Sequence, residues 1–357
     1  MNKAKKFQIP SMTKFEVVRF MVAIAISLVL AMLIIFTISE EPFLALQKLF
    51  LGPIESTRRF GNVIELMIPL TFTGLAVTVM FKAKQFNMAA DGAFYIGGVV
   101  AAIVAIVVPL PVGVHPVVAI LLASLGGGLV CVIPGIIKLK WEASELVSSL
   151  MLNFIVLNLG LYLINNVFRD VNAGSMASLP YQESALLGKI LSGTRIHAGL
   201  FIVIFMTIAV HLFVKRTKWG YALRMTGQNQ SFAKYAGIGT GGVIIYSQFI
   251  GGMIAGAGGA VEALGMFDRF KWQDLTNYGF DGIIVAILAK EEPKLIPVAA
   301  FFLAYLRVGA DRMGSATDVT HEMVSILQGV IIMLVAAKSF MKTYRQRMIE
   351  KEAKVHE

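Results

Sequence analysis

FNMAADGAFYIGG, residues Phe86 to Gly98, sets Asn87 and Asp91 at the mouth of a long apolar run, with Gly92, Gly97 and Gly98 just inside. A carboxylate at the centre of a membrane helix costs about 2.5–3.5 kcal/mol even on the lenient insertion scale, so such groups face protein or a water-filled cavity. The stretch therefore reads as part of a pathway through a membrane. A helix N-terminus concentrates free N–H groups and positive dipole, and Asn87 suits its N-cap. On this reading a discontinuous helix lines the pathway, and Asn87 and Asp91 contact a hydroxylated solute. An ordinary cytoplasmic loop and cap would use the same residues, and the sequence leaves that alternative open.

Composition supports the membrane setting. Charged residues make up 15% of the 357-residue chain and hydrophobic ones 57%, against about 25% charged in soluble domains. The apolar residues fall in runs near the ~20 residues that an α-helix needs to cross the hydrocarbon core. The net charge of +10 would suggest nucleic acid in a soluble protein. Here the basic residues fall mainly on segments assigned to the cytoplasm, as membrane orientation requires, so no nucleic-acid partner is expected. The single Cys131 excludes an internal disulfide and a cysteine-cluster metal site. The five histidines lack ligand spacing, so no metal is expected.

Working outward, ten spans are expected: Val17–Ile38, Asn62–Phe81, Gly92–Val108, Val117–Ile137, Leu146–Ile164, Ala198–Val214, Val243–Leu264, Gly279–Ala289, Leu295–Leu306 and Val324–Ala337. The first is too long for a signal-peptide core. The eighth is too short to cross alone. Leu44–Phe60 reads as an amphipathic stretch outside, and Asp268–Asn277 as a polar turn. The fold class is all-α, a polytopic membrane protein with about ten transmembrane helices. Residues 1–357 form one transmembrane domain with cytoplasmic tails at 1–16 and 340–357. A pattern at the broken segments suggests two inverted five-helix halves: Asp91-Gly92 opens the third span from inside and Asp281-Gly282 the eighth from outside, near Phe86 and Phe280. Corresponding interrupted segments in inverted halves point to a midplane site in transporters; chance matching of a two-residue motif is the competing explanation.

Three further stretches carry information. In ASELVSSLMLNFIVLN, Ala143–Asn158, Glu145, Ser148, Ser149, Leu152 and Asn153 share one helical neighbourhood. Asn153, well inside its span, either lines the pathway or bonds a neighbouring helix. TKWGYALRMTGQNQSFAKYAG, Thr217–Gly237, is polar yet aromatic; it is either an interface anchor or a short helix offered to a cytoplasmic partner. GGMIAGAGG, Gly251–Gly259, suits close helix packing within the chain, or a dimer face against a second chain. The GxGxxG at Gly237–Gly242 follows no strand and precedes a span, so it is no dinucleotide site. No GxxxxGK[ST] occurs, so the chain cannot grip ATP by a Walker loop.

At these stretches the chain resembles the permease subunits of ABC importers for nucleosides and simple sugars. FNMAADG at Phe86 resembles the family's FNIGAEG, and SELVSSLMLNFI at Ser144 its NEVISTLMLNYI. TKWGYALRMTGQNQSFAKYAGI at Thr217 resembles the family's T-x-x-G-x-x-L-R-x-x-G-x-N-x-x-A-A-x-x-x-G-I loop, and YGFDGIIVAILA at Tyr278 its GFDGIAVALLG. Met88, Ala89 and Asp91 depart from the family's isoleucine, glycine and glutamate. Lys290-Glu291-Glu292 is more charged than the usual glycine. The resemblance implies a transport subunit, not an enzyme, in a multi-pass bacterial inner-membrane complex with both termini cytoplasmic. Its partners would be an ABC ATPase, a second permease subunit and an extracytoplasmic substrate-binding lipoprotein. ATP and Mg would sit on the ATPase, and this chain would bind no cofactor. The substrate pathway would run past Phe86, Asn87, Asp91, Asn153, Phe280 and Asp281. Residues 215–240 would be the cytoplasmic coupling loop, through Gly220, Leu223, Arg224, Gly227 and Gly237. No catalytic residue is expected. The residues alone also admit an ion-coupled secondary transporter, for which Asp91 and Asp281 give thin support. An intramembrane hydrolase could recruit Ser148, Asp91 and His211 but has no supporting motif.

Overall fold

The computed structural model describes residues 39–174 and 176–319, with isolated positions between 29 and 37 and at 326 and 329. Among them the regular elements are helical, apart from isolated antiparallel bridges at Arg169–Ser178 and Lys189–His197. In chain order the α-helices are α1 Pro42–Leu51, α2 Thr57–Lys82, α3 Ala90–Val107, α4 Val114–Trp141, α5 Glu145–Tyr162, α6 Gly199–Arg216, α7 Lys218–Gln228, α8 Gln230–Tyr235, α9 Thr240–Met266, α10 Tyr278–Leu288 and α11 Ile296–Ala316. A π turn, Leu163–Val167, extends α5.

Seven segments among the described residues are long and apolar enough to cross a membrane. They are α2, α3, α4, α5 with its π turn, α6, α9, and Pro293–Ala316 containing α11. With 11 residues, α10 reaches only about 16 Å at 1.5 Å per residue, half the hydrocarbon thickness. The expected spans at 17–38 and 324–337 lie outside the described residues, isolated positions aside. The expected surface stretch at 44–60 divides: α1 takes its first part, and α2 already begins at Thr57, where Ser56 accepts the Arg59 N–H at 3.3 Å.

The chain divides into two compact units, residues 1–52 with 306–357, and residues 53–305. In the first, the Ser39 hydroxyl donates to Asp318 Oδ1 at 2.5 Å and the Glu40 N–H to Oδ2 at 2.7 Å. The second carries the core. Its centre is a crossing of α4, α3 and α9 with almost no side chains between backbones. A Cβ on Gly127 would lie 2.4 Å from the Gly252 carbonyl oxygen, one on Gly97 2.2 Å from that of Gly256, and one on Gly259 1.8 Å from that of Phe94. The Gly251–Gly259 stripe thus packs within the chain. Small residues let membrane helices gain dispersion contacts that larger ones would block.

On the other side of the core, α10 lies against α2: a Cβ on Gly282 would sit 2.6 Å from the Thr73 carbonyl carbon. The Thr71 and Thr73 hydroxyls bond back to the Met67 and Pro69 carbonyls, so they cost little in an apolar setting.

The expected polar turn at 268–277 is instead a packed segment. Phe270 is buried, and Trp272 stacks on Phe94 at 5.7 Å and fills the notch at Gly98. Residues 168–187 cover it: Ser178 N–H donates to the Phe270 carbonyl, Tyr181 N–H to that of Asp268, and Leu187 N–H to that of Leu264. His115, fully buried, fixes the same cover through Ser184 at 2.8 Å.

Candidate functional site

Two non-helical segments, 83–89 and 267–277, run in from α2 and α9, and each ends at the start of a helix. Those starts, of α3 and α10, meet. Asp91, in the first turn of α3, accepts the Gly279 N–H from the first turn of α10 at 2.9 Å. A Cβ on Gly279 would fall 2.3 Å from the Asp91 nitrogen, so only glycine permits this approach. Asp91 is fully buried and Asp281 is 5% exposed. Two positive dipole ends thus face one another, each with a carboxylate in its first turn, the placement that helix dipoles favour.

The start of α3 is held by side chains. Asn153 Nδ2 donates to the Met88 carbonyl at 3.0 Å, and its Oδ1 accepts the Gly92 N–H at 3.0 Å. One turn earlier on α5, Ser149 Oγ accepts the Met88 N–H at 3.0 Å. Asn87 does not cap the helix directly. Its Oδ1 accepts the Ala89 N–H at 2.8 Å, and Ala89 is the N-cap. Its Nδ2 donates to the Cys131 carbonyl at 2.9 Å and to Gln248 Oε1 at 2.7 Å. Both amides are therefore spent on protein groups here. Phe86 is exposed and stacks on Phe81 at 4.8 Å; Phe280 is half-buried.

Behind Asn87 lies a polar chain that leads to the C-terminal end of α4. Gln248 Nε2 donates to Glu145 Oε1, and Lys138 Nζ donates to Glu145 Oε2 at 2.8 Å and to Gln85 Oε1 at 2.6 Å. Glu145 is 5% exposed and fully partnered, as a buried carboxylate must be.

Sequence reasoning brought Asn87, Asp91, Asn153 and Asp281 forward, and the structure gathers them around one junction. It missed Asn277, Gln248 and Lys138. A signal for Asn277 was present: Asn87-x3-Asp91-Gly92 and Asn277-x3-Asp281-Gly282 share one spacing. Asn277 is exposed and takes the left-handed conformation before α10.

After α6, Thr217 caps α7 by accepting the Gly220 N–H at 3.0 Å. One face of α7 is buried: Gly220, Leu223, Thr226 and Gly227. A Cβ on Gly220 would lie 2.1 Å from the Phe213 carbonyl oxygen, and one on Gly227 1.9 Å from that of Lys82. Arg224 is half-buried, and Gly237 ends α8 with φ +80°. The outward face, with α8, exposes Trp219, Tyr221, Phe232 and Tyr235, the last at 93%.

Residues 59–336 match the family described as branched-chain amino acid transport system / permease component, and the chain belongs to this family. Among its relatives, a guanosine ABC transporter permease protein of Bacillus subtilis is 31% identical over 78% of this chain and 80% of the relative. A glucose ABC transporter permease protein of Haloferax volcanii is 28% identical over 86% and 84%. A nucleoside ABC transporter permease protein of Lactococcus lactis is 25% identical over 94% and 92%. No solved structure matches the chain. The chain is thus a multi-pass membrane permease of the ABC importer class.

Proposed function

We propose that this chain is the membrane path for an uncharged, hydroxylated solute, a nucleoside or simple sugar, within an ATP-driven importer. The observation that carries the reading is the junction at which Asp91 bonds Gly279. Interrupted helices place dipole ends and unpaired backbone groups at transporter midplanes. Here two dipole ends carry their own carboxylates, so a phosphorylated or otherwise anionic permeant would meet repulsion. A neutral solute with hydroxyl and amide groups suits such surroundings. Three relatives carry guanosine, glucose and nucleoside in their names.

The shared Asn-x3-Asp-Gly spacing and the exchange of partners, α3 against α9 and α10 against α2, support two inverted halves. With the expected spans at 17–38 and 324–337 added, ten segments give both termini the same side, and the basic tails favour the cytoplasm. In a bacterial inner membrane, a second permease would complete the path and an extracytoplasmic binding lipoprotein would deliver solute. The outward face of α7 and α8, with its four exposed aromatics beside Arg224, is our dock for the ATPase. ATP and Mg belong to that partner.

The test is uptake of labelled guanosine, uridine, glucose and ribose into proteoliposomes holding the complex with its co-encoded partners, wild type against Arg224→Glu. ATP-dependent uptake of at least one member, lost in the variant together with co-purifying ATPase, is expected. Uptake without ATP, or a variant as active as wild type, would sink the transport mode or the dock.

A further inference from the structure

Lys82 ends α2, and its carbonyl oxygen is where α7 rests: a Cβ on Gly227 would come within 1.9 Å of it. Two lines of structure leave Lys82. One is segment 83–89, which passes Asn87 and enters α3 at Asp91. The other crosses from the Lys82 ammonium to the Glu291 carboxylate at 3.7 Å and follows α10 back to its first turn. They rejoin where the Gly279 N–H donates to Asp91. The path is a closed ring with α7 at one end and the Asp91–Gly279 junction at the other.

The backbone marks the corners of this ring. Residues with a Cβ rarely hold positive φ, and such outliers gather where a chain switches or is strained for use. Among the described residues these are Lys84, Glu142, Asn277, Lys290 and Glu291. All but Glu142 lie on the ring. Lys84 opens the inner segment, Asn277 precedes α10, and Lys290 and Glu291 follow it. Terminal residues of this kind absorb φ/ψ changes when rigid elements swing. Between the corners the elements are stiff: α10 is helical, and Asn87 ties the inner segment to Cys131 and Gln248.

We propose that this ring transmits ATPase motion to the pathway. Displacement of α7 pushes the Lys82 carbonyl through Gly227, and both arms carry the movement to the junction, opening it from two sides. The inference rests on α7 being the ATPase dock. Gly227 and Lys82 are positioning residues and touch no solute. A glycine is required because direct backbone contact moves without the slack of rotatable side-chain bonds. By linkage, solute at the junction would in turn act on the ATPase.

The experiment uses the whole complex in proteoliposomes and reads labelled guanosine taken up per ATP hydrolysed, together with stimulation of hydrolysis by the binding protein. Misfolding lowers uptake and hydrolysis together and leaves their ratio unmoved. Gly227→Ala is expected to lower the ratio at least tenfold. Lys82→Glu, which sets like charge against Glu291, should lower it several-fold, and Lys82→Glu with Glu291→Lys should restore it. That reversal decides the matter even where Gly227→Ala yields no folded complex. A wild-type ratio in Gly227→Ala, or no rescue by the reversed pair, overturns the ring. An Arg224→Glu complex that still co-purifies with its ATPase defeats the dock instead, independently of the ratio.

Discussion

Replacing Asn153 with alanine removes both clamps on the start of α3 at once. The Gly92 N–H belongs to the first turn, so it has no intrahelical acceptor and depends on Asn153 Oδ1 at 3.0 Å. The Met88 carbonyl loses the matching donor. A net hydrogen bond is worth about 1 kcal/mol, and an orphaned buried group costs about 1–3 kcal/mol. Within bilayers, measured side-chain bonds average about 0.6 kcal/mol. Two bonds lost between buried partners therefore come to about 2 kcal/mol, a factor of about 30 in the local opening equilibrium. Hydrogen exchange read by mass spectrometry on a peptide covering residues 86–95 should accelerate by that factor, with the core of α9 unchanged. Asn158→Ala on the same helix is the control, because Asn158 is exposed and bonds only the Phe154 carbonyl of its own helix. Exchange within twofold of wild type in Asn153→Ala would refute the clamp. Acceleration spread over the whole chain would show global destabilisation instead.

Other perturbations follow from the same geometry. Burial holds His197, just outside α6, down at about 4. The unfolded imidazole takes a proton near 6.5 and the folded one does not, so stability is full above that pH and falls as pH drops toward 4, by about 2 kcal/mol at pH 5. Thermal unfolding at pH 7 and 5 should show this loss in wild type and a smaller one in His197→Gln. Lys138→Met strands the Glu145 carboxylate; breaking a buried pair costs about 3–5 kcal/mol, reduced here to about 2 because the lysine side chain is 36% exposed. Adding Glu145→Gln should recover at least half of that in detergent unfolding. Gly127→Val drives a branched side chain into the Gly252 and Gly256 backbones, overpacking worth about 3 kcal/mol or more. Size-exclusion profiles of membrane extracts should lose the folded peak, while Gly188→Ala, with open space around it, keeps it.

What the sequence made legible follows from the one-dimensional nature of membrane insertion. Span length and hydropathy are local properties, so six of the seven described crossings begin and end within about five residues of the runs read from composition; the last, Pro293–Ala316, runs ten residues past the expected end at Leu306. The short eighth segment, Gly279–Ala289, is α10. The glycine stripe at 251–259 was legible for the same reason, because only backbone contact explains so many small residues on a span. Segment 268–277 misled because its polar residues, Asp268, Gln273 and Asp274, are on show, whereas the burial of Phe270 against Tyr95 and the seating of half-buried Trp272 in the notch at Gly98 depend on α3, distant in sequence. Asn87 and Asn153 illustrate the deeper limit. An amide inside a span announces that it has a partner without saying which. The partners are backbone groups at Met88, Ala89, Gly92 and Cys131 together with the Gln248 side chain, and backbone carries no sequence signature. Those amides build the junction, so a solute arriving there must either displace one of them or bond groups still open, of which exposed Asn277 is the nearest along the chain to Gly279. Asn277→Ala should therefore raise the solute concentration for half-maximal uptake by several-fold while leaving exchange at residues 86–95 at wild-type rates. Unchanged half-saturation would place recognition elsewhere.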